Sequence, residues 1–273
     1  MATEAAKTHP WHVPEPSPWP IIGTIAGFTM AIGGIWYMHE GLIWILAVGF
    51  ALLLVTFYGW LRQVIIESNT PGMHSEQVKT GLRMGFLFFI ASEVMFFFAF
   101  FWAYFHSSLP ILSNVAVPWP PAGIELIPAG GVPLLNTLIL LTSSATVTAA
   151  HHAVVENHRA KAIRWTFTTA ILGVVFLFFQ AEEYIEATFK LSDGIYPSTF
   201  YLATGFHGFH VLVGTCFLFV CAFRLQRGHF TSDHHIGFEA AAWYWHFVDV
   251  VWVFLYITVY IWGASSFGHL SAG

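Results

Sequence analysis

The sequence predicts an all-α membrane protein with seven transmembrane helices, arranged as a two-helix hairpin followed by a five-helix bundle. Three observations predict it. Of the 273 residues, 56% are hydrophobic and only 9% are charged, whereas a soluble domain carries about 25% charged residues. The apolar residues gather into seven runs, each near the ~20 residues that a helix needs to cross a hydrocarbon core. With the N-terminus inside, all but one of the 10 Lys and Arg residues fall on the inner side, a strong positive-inside bias. Strands are disfavoured, because a membrane barrel would show alternating segments of about ten residues.

The runs lie at roughly 20–38, 42–66, 81–106, 133–153, 163–189, 198–223 and 239–262. The first follows MATEAAKTHPWHVPEPSPWP, a polar, proline-rich stretch without the pattern of a signal peptide. Trp11 and Trp19 there, like Trp119 and Trp262 later, suit a membrane interface. Only a few residues join the first run to the second, so the two should pack as an antiparallel hairpin. The second run ends in YGWLRQVIIES, and ESNTPGMHSEQVKT follows as a polar inner loop with a turn at Pro71–Gly72. This loop suggests a division into an N-terminal segment with hairpin, 1–70, and a five-helix bundle, 71–273.

The third run carries one acid, Glu93, about midway along SEVMFFFAFFWAYFH. The Pro- and Gly-rich stretch 107–132 has no Lys or Arg and is placed outside. The fourth run opens on VPLLNT and closes on His151 and His152. The fifth ends in QAEEYIEATFK, putting Glu182, Glu183 and Glu186 at a helix C-terminus, where the macrodipole disfavours negative charge. Lys190, four residues after Glu186, would partly offset this. These acids could bind a basic partner or a cation, or form a solvated helix end. The sixth run holds His207, His210, Cys216 and Cys221 and closes on Arg224; without a CxxC pattern, neither a disulfide framework nor a zinc site is expected. The seventh, GFEAAAWYWHFVDVVW, places His246 and Asp249 on one face.

Fifteen histidines raise the prospect of haem or copper, since imidazole suits both. Against this, His151, His152, His234 and His235 fall near helix ends, where interfacial hydrogen bonding accounts for them. His246 and Asp249 read as a proton relay or as a buried polar pair. Glu93 is the sharpest candidate. Charging an acid at that depth costs roughly 2.5–3.5 kcal/mol on insertion scales, so a neutral carboxyl donating a hydrogen bond is expected, with His207 or His210 as its partner. At the inner ends, Arg62 beside Trp60, and Arg224, are placed for anionic lipid headgroups or for ordinary interfacial anchoring.

PSPWP, GLRMGFLFFIASEVMFFFAFFWAYFHSSL, VPLLNT, ATGFHGFHV and HHIGFEAAAWYWHFVDVVW together cover almost the whole chain. In combination they resemble subunit III of the aa3-type haem–copper cytochrome c oxidases. The resemblance implies a chain without haem or copper, those centres (haem a and copper) belonging to the neighbouring subunits I and II. It implies a V-shaped, phospholipid-filled cleft between hairpin and bundle. Trp60, Arg62, Glu67 and His74 match lipid-contacting positions of the family, Arg224 and His229 match a second lipid region, and Glu93 matches its carbodiimide-reactive acid. The implied role is non-catalytic: stabilising the catalytic subunit, supporting proton uptake, and giving oxygen a path through the cleft. Cytochrome c is then a partner through the complex, and no nucleic acid is expected. The location implied is a bacterial inner membrane, N-terminus cytoplasmic and C-terminus periplasmic, with the mitochondrial inner membrane as the alternative. Two other readings stand beside it: a haem-bearing membrane oxidoreductase and an independent proton channel.

Overall fold

The computed structural model describes residues 16–70, 72–109, 112 and 119–263. Lys7, Trp11, Pro71 and part of the 107–132 stretch lie outside the described residues. Among the described residues, seven helices are long and apolar enough to cross a membrane: α1 (Trp19–Glu40), α2 (Trp44–Asn69), α3 (Glu76–Ser108), α4 (Val132–Val155), α5 (Arg159–Glu186), α6 (Ile195–Gln226) and α7 (Ile236–Leu255), the last continued by a π-helical turn, Tyr256–Trp262. No strand is found among the described residues. The chain divides into two compact units after Leu82, within α3.

In the first unit, α1 and α2 form the hairpin. Pro20 sits in the first turn of α1, where its missing N–H costs nothing. Gly41, at φ 70°, ends that helix in the left-handed conformation and donates its N–H to Tyr37 O. Close approach of the two backbones depends on small residues: a Cβ on Gly33 would lie 2.4 Å from the Leu46 nitrogen. Lipid tails are as apolar as the side chains, so such packing replaces the hydrophobic effect as the force joining helices.

In the second unit, α4 packs on α5 and α7, and α6 packs on α5 and α7. Gly173 and Gly214 make room for the buried ring of Trp245, whose Nε1 donates to Ser143 Oγ at 2.8 Å. Trp252 Nε1 donates to Thr137 Oγ1 at 3.0 Å, so both buried indoles are satisfied by α4 hydroxyls. α3 reaches its neighbours through rings instead, with Phe96 edge-on to Phe206 at 5.1 Å and Phe101 edge-on to Phe254 at 4.5 Å.

The helices run past the apolar runs at several ends. α3 starts at Glu76, and α5 starts at Arg159 but stops at Glu186. Hydropathy marks only the stretch that lies in hydrocarbon, whereas helical hydrogen bonding continues through polar turns. The Glu186-to-Lys190 spacing thus loses its helical geometry: Lys190 lies past the helix, and its backbone N–H goes to Asp193 Oδ2 at 2.7 Å.

Candidate functional site: polar groups within the spans

Glu93, on α3, points toward α6. Its Oε2 lies 2.9 Å from Nε2 of His210, and His210 Nδ1 lies 2.7 Å from the Phe206 carbonyl. A carbonyl only accepts, so Nδ1 carries a proton. On a neutral ring Nε2 is then a bare acceptor, and the one proton in the contact belongs to the Glu93 carboxyl. The same geometry would also hold a carboxylate against an imidazolium. Phe97 lies edge-on to His210 at 4.9 Å and Tyr244 stacks at 6.3 Å, so the pair sits among rings. The Glu93 side chain keeps 22% of its surface exposed, against 8% for His210.

His207, three residues before His210, faces elsewhere. It is fully buried against Phe176 and Trp252, and its Nε2 donates to Val248 O at 3.2 Å. Of the two histidines considered as partners, the structure brings His210 to Glu93 and turns His207 into the core.

His246 and Asp249 share a face of α7, but their nearest N–O distance is 3.9 Å, beyond a hydrogen bond. Ser144 and Thr148 of α4 take the imidazole instead, at 2.8 and 3.3 Å. Thr148 already donates to the Ser144 carbonyl at 3.0 Å. Its oxygen therefore accepts from Nε2, leaving Nδ1 to accept from the Ser144 hydroxyl. Asp249 is buried, and neither carboxyl oxygen has a hydrogen-bond partner among the described residues. Sequence reasoning missed Ser144 and Thr148, although their four-residue spacing in TSSATVT was a signal of a shared face.

The residues matched to lipid contacts fall in both units. In the first, Trp60 and Arg62 are exposed, while Glu67 accepts from Gln63 Nε2 at 3.1 Å, and Gln63 in turn accepts from Ser17 at 2.9 Å; His74 is half-buried. In the second, the Arg224 guanidinium lies 4.2 Å from the centre of the Phe230 ring. His229 donates its backbone N–H to the Arg224 carbonyl at 3.0 Å. Partial burial, with the Arg224 and Arg227 guanidiniums nearby, lowers its imidazole below the ordinary histidine range. Two further contacts at these helix ends were not foreseen. Arg83 pairs with Glu239 at 2.9 Å. Arg159 donates to the carbonyls of Leu225 and Gln226, the unsatisfied end of α6. Among the described residues, no group of three His, Cys, Asp or Glu side chains is placed to hold a metal ion.

Seven helices among the described residues long and apolar enough to span a membrane, with the Glu93–His210 contact joining two of them, define a polytopic integral membrane protein. A comparison of the sequence with known families gives the particular family: residues 9–264 match the profile of cytochrome c oxidase subunit III. The chain is 53% identical to cytochrome c oxidase subunit 3 of Prototheca wickerhamii over 263 residues, 95% of this chain and 100% of that one. It is 52% identical to the same subunit of Marchantia polymorpha over 262 residues, covering 95% and 99%. For Arabidopsis thaliana the figures are 51% over 260 residues, covering 94% and 98%. The chain belongs to the cytochrome c oxidase subunit III family and is a component of that oxidoreductase complex.

Proposed function

We propose that this chain is a non-catalytic subunit that stabilises the catalytic subunit of its oxidase, supports proton uptake there, and holds structural phospholipid. Haem a and copper then reside in subunits I and II, and cytochrome c is met only through the complex. The observation that carries this reading is the Glu93–His210 pair. The acid deepest in the third span is closed onto one histidine, whose second nitrogen is closed onto its own helix. Such a pair fastens α3 to α6 with both ring nitrogens of His210 engaged, while Oε1 of the partly exposed Glu93 side chain stays outside the contact. No hydrogen bond among the described residues joins it to the His246 cluster, which weighs against an independent proton channel.

In this reading Glu93 is a neutral acid that supports the packing. Trp60, Arg62, Glu67 and His74 on the first unit, and Arg224 and His229 on the second, contact phospholipid headgroups, the arginines through phosphate. The membrane is a bacterial inner membrane, with the N-terminus cytoplasmic and the C-terminus periplasmic. A path for oxygen along the bound lipid is a further part of the proposal. Depleting the oxidase of this chain tests the non-catalytic role: the haem absorption of the remaining complex should be unchanged. Immediate loss of haem absorbance would assign the chain a cofactor-holding role instead.

A further inference from the structure

Glu183 and Glu186, at the end of α5, take no part in the role proposed above, and the structure gathers them with a third acid from another segment. A cavity of ≈ 270 Å³ opens between the end of α5 and the segment leading into α4. Glu125, Glu183 and Glu186 line it together with apolar residues including Leu126, Ile127 and Val132. No Lys or Arg is among its described lining residues. Glu183 is only 3% exposed. Its Oε1 accepts from Tyr260 Oη at 2.6 Å and from Gln180 Nε2 at 3.2 Å, while Oε2 is buried without a hydrogen-bond partner among the described residues. The carbonyl end of α5 adds further negative potential. A buried carboxylate oxygen that meets no donor is costly.

The chemistry of the lining narrows the guest. A metal ion needs converging ligands, and no three acids or histidines among the described residues are so placed. An ethanolamine headgroup would bring its phosphate close to three carboxylates. Lys190 is not among the lining residues. A lysine side chain fits both parts of the wall, because its methylene stem prefers apolar surface and its ammonium prefers acids. We propose that the cavity receives the ammonium of a lysine from a neighbouring polypeptide of the oxidase complex. Its stem lies against Leu126, Ile127 and Val132, and its charge lies among Glu125, Glu183 and Glu186.

The test uses the intact oxidase complex and a water-soluble carbodiimide, which condenses a carboxylate and a touching amine into an amide while itself becoming a urea. Peptide mass spectrometry should find an amide from Glu125 or Glu186 to a lysine of another subunit. Val132→Phe, which fills the cavity without altering a carboxylate, should abolish that cross-link and leave other inter-subunit cross-links intact. The proposal is overturned if no such peptide forms while other inter-subunit cross-links do. A bridge to Lys190 or to an aminophospholipid in its place would also overturn it, as would persistence of the cross-link in Val132→Phe.

Discussion

Glu93 Oε2 and His210 Nε2 stand 2.9 Å apart although 117 residues separate them in the chain. This contact ties α3, which also meets its neighbours through aromatic rings and the Arg83–Glu239 pair, to α6. His210→Leu should leave the Glu93 carboxyl without its partner, costing about 1–3 kcal/mol. The check is thermal unfolding of the detergent-solubilised complex, with a lowered transition for loss of this chain.

Glu93, partly buried against His210, should also react as a protonated acid. A hydrophobic carbodiimide, which needs a protonated carboxyl, should modify it in preference to loop acids such as Glu125, while a water-soluble one should react with it poorly. Equal labelling by both reagents would mean that the site opens to water.

Arg159 closes α6 by donating to Leu225 and Gln226. Arg159→Met removes a charged donor from the negative end of a helix, with an expected loss of about 1 kcal/mol. Hydrogen exchange should report it as faster opening confined to the last turn of α6. Unchanged exchange would show that water serves those carbonyls equally well.

Two glycines should behave oppositely. A Cβ at Gly173 would fall 2.4 Å from Thr215 Oγ1 and 2.6 Å from the Trp245 ring, whereas at Gly85 it would meet nothing within 4 Å. Gly173→Ala should therefore destabilise by about 1–3 kcal/mol through overpacking. Gly85→Ala should be neutral or gain up to ~1 kcal/mol from helix propensity. Paired thermal unfolding measurements of the two variants check the difference.

Arg62 and Arg224 are expected to hold anionic phospholipid. Changing both to Leu largely keeps apolar volume while removing two cations. Phospholipid analysis of the purified complex should show loss of tightly bound anionic lipid; unchanged content would leave the arginines as ordinary interfacial anchors.

The spans were legible in the sequence because the bilayer demands long apolar runs, and the hairpin was legible because only Gly41, Leu42 and Ile43 join α1 to α2. The seven-helix architecture and the family both followed from those runs and from ATGFHGFHV and HHIGFEAAAWYWHFVDVVW. Helix ends were less legible, since hydropathy fades before the helix does at Glu76, while at Glu186 the helix stops before the apolar run does. Which histidine meets Glu93 was open, because His207 and His210 differ by less than one turn, and the packing of α3 decides between them. The turn of His246 toward Ser144 and Thr148, away from Asp249, likewise depends on where α4 lies. The cavity at Glu183 needs a loop and a helix end to meet, a juxtaposition that no local pattern encodes.

The central claim is that this chain supports proton delivery and durability without performing redox chemistry. The most direct measurement is initial oxygen-reduction rate and activity decay, with and without the chain, across a pH series. The depleted oxidase should begin turnover with its haem spectrum intact, slow increasingly as pH rises, and then lose activity progressively, because delayed protonation prolongs reactive oxygen intermediates. Identical rates and lifetimes at every pH would contradict the claim and reduce the chain to a passive spacer.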